Sequence, residues 1–161
     1  MRPTRLIALL TVGLIAAGCG WNPPGPPPTP TAGCTPADGP TPDAVAYVVN
    51  QLPELPAGHK WRQTVSGHTA DCGLHWVQVA SGDAADAPQQ VLFFDRNTSI
   101  GSPTPDPRPY ITVTASGTDT ATVQYEWRQG HDPACCPTGI GTVRVRIDDG
   151  KLKPLDPIPN S

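Results

Sequence analysis

Glutamate is nearly missing from this chain: among 161 residues only Glu54 and Glu126 carry that side chain. Phenylalanine is equally scarce, with Phe93 and Phe94 alone. The first shortage leaves one glutamate beside a helix end and one on a wet strand face; a carboxylate pair for glycoside cleavage could still come from distant aspartates, but nothing in the sequence points to one. The second predicts a modest core and argues against a large apolar ligand cavity. No G-x-S-x-G, S-x-x-K or H-E-x-x-H string occurs, so the usual sequence signals of a hydrolase are missing. Gly139-Ile140-Gly141 lacks the lysine and the helical context of a phosphate loop, and it reads as a flexible approach to the last hairpin. Positive charge is also lacking. The formal net charge is −3, and it drops by two units if Arg2 and Arg5 are lost with a leader. A mildly acidic protein is a poor partner for nucleic acid or anionic lipid headgroups. There is no internal repeat.

The first nineteen residues are the most informative part. Arg2 and Arg5 precede a short apolar stretch, Leu6 to Ala17, which is followed by Gly18 and Cys19. About a dozen apolar residues cannot span a bilayer, which needs roughly 20. The order of charged, apolar and small residues is that of a secretory signal. A cysteine immediately after Ala16-Ala17-Gly18 matches a bacterial lipoprotein signal, in which the thiol is joined to diacylglycerol and the chain is cut before it. Residues 1–18 are therefore expected to be a signal peptide and Cys19 the lipidated residue. Ordinary secretion, with Ala16-x-Gly18 as the cleavage site, is the rival reading. Each buried methylene contributes about 0.8 kcal/mol to attachment, and two chains suffice for stable anchoring.

Residues 19–40 are expected to form a tether. The chain holds 22 prolines, well above the usual level of about 5%, and they crowd between Pro23 and Pro42. Such a segment favours extended polyproline II at about 3.1 Å per residue, giving on the order of 60 Å of reach. Thr29, Thr31 and Thr35 are candidate sugar acceptors, although an unmodified spacer is the favoured reading.

Residues 41–161 are long enough for one domain. Thr41 suits an N-cap, Pro42 the first helical position, and Asp43 the positive end of the dipole. Val45, Val48, Val49 and Leu52 share one face of a helix of three turns, which Pro53 stops. Strands are expected at 61–66, 74–80, 91–94, 110–115, 121–127 and 143–147. Val91 to Phe94 is apolar on both faces, as in a covered central strand, whereas the later strands alternate apolar and polar residues. Asp149-Gly150 is a strong hairpin turn and Ser116 to Asp119 a second one. These readings combine into an α+β fold: an antiparallel sheet with one N-terminal amphipathic helix packed on it, stabilised by disulfides.

Four cysteines follow Cys19: Cys34, Cys72, Cys135 and Cys136. Outside the cytoplasm an even number reads as two disulfides. Bonding neighbouring cysteines closes an eight-membered ring, so the favoured pairing sends Cys135 and Cys136 to Cys34 and Cys72 in an undetermined order. A zinc site built from Cys72, His75, His131 and Cys135 has irregular spacing, and the adjacent cysteines lack C-x-x-C redox spacing; both readings are weaker than structural bridging. His59, His68, His75 and His131 are scattered and suggest no base. Arg128, Arg144 and Arg146 fall with Glu126 on a wet sheet face, read as solvated charge pairs ahead of an anion or partner surface. Asn97-Thr98-Ser99 fits a glycosylation sequon, which a bacterial leader makes a coincidence.

Several strings are distinctive: Cys72-Gly-Leu-His-Trp-Val-Gln-Val79, Val91-Leu-Phe-Phe-Asp-Arg96, Tyr110-Ile-Thr-Val113, Cys135-Cys-Pro-Thr-Gly139 and the ending from Asp149 to Pro159. Together they resemble the LppP/LprE lipoproteins of mycobacteria and related actinobacteria, from about Thr41 to Pro159. The resemblance implies a cell-envelope lipoprotein and offers no catalytic or ligand residues. The expected protein is a non-enzymatic binding or interaction module on the outer face of the cell membrane. Its expected partners are the membrane, through the lipid, and envelope proteins or glycans, with no nucleic acid, cofactor or metal. A lipid or small-molecule carrier is the alternative, and an envelope hydrolase the third reading.

Overall fold

The computed structural model describes residues 33–160. Its strands are β1 (Arg62–His68), β2 (Leu74–Ala80), β3 (Gln89–Asp95), β4 (Thr98–Gly101), β5 (Ile111–Ser116), β6 (Thr120–Trp127), β7 (Gly139–Asp148) and β8 (Lys151–Pro154), preceded by one α-helix, α1 (Pro42–Val49). They form two four-stranded sheets, β1-β2-β3-β4 and β5-β6-β7-β8. Every pairing is antiparallel between consecutive strands.

The expected α+β class is therefore corrected to a mostly β architecture, with two sheets where one was expected and a single short helix. The physical reason lies between β4 and β5, where Pro103, Pro105, Pro107 and Pro109 occupy every second position. Proline has no N–H to donate to a ladder, so pairing cannot continue through this run. The chain leaves the first sheet at Gly101 and starts the second at Ile111. The crossing is held in place. Gln89 and Arg108 exchange backbone hydrogen bonds of 3.0 and 2.9 Å. The Gln78 amide donates to the Ile111 carbonyl and to Gln89 Oε1, both at 2.8 Å.

One hydrophobic cluster joins the sheets. Leu74, Trp76, Val91 and Phe93 from the first meet Ile111, Val113, Ala121, Val123, Tyr125, Val143 and Val145 from the second. Alternation along β6 and β7 puts these residues inward and leaves the threonines and arginines outward, as the period-two pattern predicts. The opposite face of the first sheet presents Val77, Val79, Leu92 and Phe94 to Val45 of α1, with Val48, Val49 and Leu52 alongside. That double cover explains why β2 and β3 are buried throughout their centres.

The helix begins as expected. Thr41 Oγ1 accepts from the Ala44 amide, while the Thr41 amide donates to Asn97 Oδ1 at 2.7 Å. Asn97 thus has a structural task in the β3–β4 turn. The helix ends at Val49, one turn before Pro53. No helix among the described residues is long and apolar enough to cross a membrane.

The C-terminal segment is fastened to β7. Arg144 reaches Asp156 with Nε and Nη2, both at 2.9 Å, and its amide also donates to that carboxylate. These bonds pull the Asp156 carboxyl down to about 2. Its folded pKa lies below the unfolded value of about 3.9, so its stabilising effect is complete above that unfolded value and is lost as pH falls through about 2. A carbon-detected NMR titration is expected to give an Asp156 midpoint near 2 in the intact chain. In Arg144→Met the midpoint should return toward the ordinary carboxylate range; an unchanged value would disprove the assignment.

Candidate functional site

Two concave regions stand out, one beside α1 and the first sheet and the other at the start of β5 and the end of β6. The larger is a groove of about 960 Å³ between α1, the segment leading into it and β1. Its floor carries Ser66, His68, His75 and Val77, and its wall carries Val45 and Val49. Cys34 lies at one end and is disulfide-bonded to Cys72, with the Cα atoms 5.5 Å apart.

Both cysteines are held by short local networks. Asp38 Oδ2 accepts the Thr35 hydroxyl and amide, each at 2.7 Å, which closes a 3₁₀ turn over Pro36–Asp38 just after Cys34. The Thr35 hydroxyl is the main cause holding the Asp38 carboxyl below its usual range. On the other side, Asp71 Oδ1 accepts the Thr69 hydroxyl at 2.6 Å and the Gly73 amide at 3.0 Å. Partial burial opposes ionisation of Asp71, but these hydrogen bonds outweigh it and its carboxyl stays below the usual range. The buried Thr69 hydroxyl also receives the Leu74 amide at 3.1 Å. The resulting tight turn holds Cys72 at φ 60°, a left-handed conformation uncommon outside glycine.

His68 Nδ1 sits 3.1 Å from Cys34 Sγ and 3.0 Å from the Thr69 carbonyl. His75 faces it with ring centroids 5.5 Å apart. His75 Nε2 donates to the Cys72 carbonyl at 3.0 Å. Gly39 approaches the other side of this ring so closely that an added Cβ would lie 2.9 Å from Nδ1. The histidines that looked scattered in the sequence are thus divided: His68 and His75 converge here, while His131 is exposed in the β6–β7 loop and His59 contacts the Ser81 carbonyl at 3.4 Å.

The second region is a cleft of about 510 Å³ lined by Arg108, Tyr110, Tyr125, Trp127 and Arg128 together with Asp86 and Glu126. The Arg108 guanidinium lies 5.4 Å from the Tyr125 ring centroid, a cation–π distance, and donates from Nη1 to the Pro159 carbonyl at 2.9 Å. Burial pushes the Tyr125 phenol up. Tyr110 has φ 58°, which is strained for a bulky side chain. Its hydroxyl donates to the Ala134 carbonyl at 2.6 Å, and so fastens the start of β5 to the β6–β7 loop.

That loop is organised by Asp132, whose carboxylate accepts the Gln129 amide, the Thr138 amide and the Thr138 hydroxyl, each at 2.8 Å. The Gln129 bond is the leading cause of its lowered pKa. Arg128 Nε donates to the Asp132 carbonyl at 2.8 Å, and the terminal nitrogens of that guanidinium have no hydrogen-bond partner among the described residues.

Cys135 and Cys136, both exposed in this loop, are bonded to each other. The favoured pairing of Cys135 and Cys136 with Cys34 and Cys72 is therefore corrected. The β1–β2 turn and the segment before α1 bring Cys34 and Cys72 together, so neither is left for the loop. Cys19 and the leader lie outside the described residues, as does most of the proline-rich stretch. Arg144 and Arg146 do not line the cleft, so the expected arginine face is divided, and Arg108, which no pattern had marked, joins Arg128 instead.

The sequence profile described as LppP/LprE lipoprotein matches residues 66–150, just over half of the chain. The chain belongs to the LppP/LprE lipoprotein family. Proteins named as lipoprotein LppP from Mycobacterium bovis and from two strains of Mycobacterium tuberculosis are each 52% identical to it over 151 residues, covering 92% of this chain and 86% of the relative. No solved structure matches. The LppP/LprE stretch runs from β1 into the β7–β8 turn and contains His68, Cys72, the whole second cleft except Asn160, and the Cys135–Cys136 loop. Membership of a lipoprotein family gives the coarse location, an association with the cell envelope.

Proposed function

We infer that this LppP/LprE protein is a non-enzymatic binding module, held by lipid on Cys19 at the outer face of the cell membrane, and that the 510 Å³ cleft is its recognition surface. The observation that carries the reading is that two guanidinium groups, Arg108 and Arg128, line one cleft with the half-buried aromatic side chains of Tyr110 and Trp127. Guanidinium forks bind carboxylates and phosphates in a bidentate manner. Aromatic faces pack against the C–H surfaces of sugar rings. The combination suits an acidic glycan of the envelope better than a neutral apolar molecule. The membrane partner is supplied by the lipid anchor, and the acidic net charge disfavours nucleic acid.

The test is a titration of the full-length chain with a uronic-acid oligosaccharide and with the same oligosaccharide reduced to its neutral form, followed by tryptophan fluorescence. The acidic form is expected to bind at least about tenfold more tightly, equivalent to one charge-assisted contact of roughly 1.4 kcal/mol. Arg128→Ala should abolish the preference, and Trp127→Phe should remove most of the signal. Equal binding of the two forms, or none, would refute the cleft reading. Intact-mass analysis of the mature protein tests the anchor separately, since an unmodified thiol at Cys19 contradicts it. The apolar wall of the groove beneath α1, formed by Val45 and Val49, favours a second reading as a lipid carrier; lipid retained through native extraction would support that one.

A further inference from the structure

Cys34, His68 and Cys72 form the one group of three metal-capable side chains found among the described residues, each offering a ligand atom within 4.8 Å of the others. We propose that these three residues form a redox-gated site for a thiophilic divalent cation of the Zn²⁺ class, closed while the disulfide is intact and completed when a dithiol reductant opens it. This inference is independent of the cleft at Arg108 and Arg128.

The chemistry balances. A dithiol donor gives two electrons and two protons to the Cys34–Cys72 bond and becomes a disulfide itself, leaving two thiols. The cation then displaces both thiol protons, because thiolates and neutral imidazole are the binding forms. Thiolate sulfurs lie about 2.3 Å from Zn²⁺ and imidazole nitrogen about 2.0–2.1 Å, so the sulfurs must separate to an edge of roughly 3.7 Å. On the Cys34 side the Thr35–Asp38 bonds close the turn that follows the cysteine, and among the described residues no backbone hydrogen bond outside the regular elements holds Cys34 itself. Cys72 stays fixed by Asp71 and Thr69.

His68 changes tautomer in the process. With the disulfide closed, its Nδ1–H donates to the Thr69 carbonyl at 3.0 Å. In the cation-bound state the proton resides on Nε2, and the Nδ1 lone pair, already 3.1 Å from Cys34 Sγ, becomes the third ligand. The exposure of His68 leaves Nε2 free to meet water. His75 stands outside this group of three ligand atoms; its Nε2 donates to the Cys72 carbonyl and so holds the Cys72 backbone. Two sulfurs and one nitrogen select soft or borderline cations over Ca²⁺ or Mg²⁺, and the fourth position of a tetrahedron is left to solvent.

The experiment uses the full-length chain with Cys19→Ser, Cys135→Ser and Cys136→Ser, so that Cys34 and Cys72 are the remaining sulfur ligands. The protein is titrated with Zn²⁺ in the oxidised form and again after reduction and removal of the reductant. One Zn²⁺ per reduced chain is expected, with none bound by the oxidised chain at the same concentrations. Co²⁺ substitution should give thiolate-to-metal charge-transfer bands that indicate two sulfurs. His68→Ala should weaken Zn²⁺ at least about tenfold, whereas His59→Ala should not change it. Far-UV circular dichroism follows folding in parallel: if reduction unfolds the chain, recovery of the signal on adding Zn²⁺ supports the site. Failure of the reduced chain to take up stoichiometric Zn²⁺, in folded or unfolded form, overturns the proposal. So does Zn²⁺ binding that His68→Ala leaves unaltered.

Discussion

Phe93→Ala is expected to destabilise the domain by about 3–5 kcal/mol. Phe93 is fully buried on β3, with its ring 6.5 Å from that of Trp76 and its neighbours drawn from both sheets. Truncation removes apolar area and also leaves a void, because the facing residues Val123, Tyr125 and Val143 sit on paired strands that cannot collapse inward freely. Chemical denaturation should show the loss as a lower midpoint with little change in slope. Val65, half exposed on β1, serves as the comparison, and Val65→Ala should stay within about 0.5 kcal/mol of the parent. If Phe93→Ala cost less than about 1 kcal/mol, the two sheets could not share the core described above.

Loss of the Cys34–Cys72 bridge is expected to be comparable. The bridge joins residues 38 apart, for which the chain-entropy relation gives about 4 kcal/mol. Cys34→Ser, Cys72→Ser and the double variant should lose similar amounts, because each removes the same crosslink. The paired change Cys135→Ser with Cys136→Ser removes a link between adjacent residues, which closes only the eight-membered ring and so constrains almost none of the unfolded chain. Its effect on stability should therefore be small. Equal losses for the two sets would indicate crossed pairing, and peptide mapping under non-reducing conditions would show it directly.

The parts of the fold that were legible in the sequence are those governed by local periodicity. Thr41-Pro42-Asp43 started the helix, and Val45, Val48 and Val49 pack on the first sheet as their spacing required, whereas Leu52 reaches the same cluster from beyond the helix, which is a turn shorter than expected. The run from Val91 to Phe94 is covered on both sides, which its uninterrupted apolarity implied. What periodicity could not provide was the division into two sheets, since alternation reads the same whether a strand continues one sheet or begins another. The signal was present in the alternating prolines from Pro103 to Pro109, which deny the ladder its donors. The two four-residue strands, Thr98–Gly101 and Lys151–Pro154, were too short to show a pattern. They exist because Arg96 at φ 53° and Asp149 at φ 49° turn the chain back tightly.

The candidate sites were less legible than the fold. Four cysteines could be recognised, but their pairing depends on which turns the topology brings together. His68 gained significance only through its position opposite His75 in the β1–β2 register. Arg108 sits between prolines in a connection with no periodicity, so its place beside Arg128 could be read only from the folded chain.

The sulfur bridge at Cys34 has a mechanical consequence. Tension arriving along the backbone from the N-terminal side of Cys34 divides at that residue, and the shorter covalent route runs through sulfur into the turn at Cys72. The helix and β1 lie on the longer route, between the two bridged residues, and are shielded from load while the bridge holds. Force is delivered instead to the start of β2, a strand hydrogen-bonded on both edges, which resists being peeled away one bond at a time.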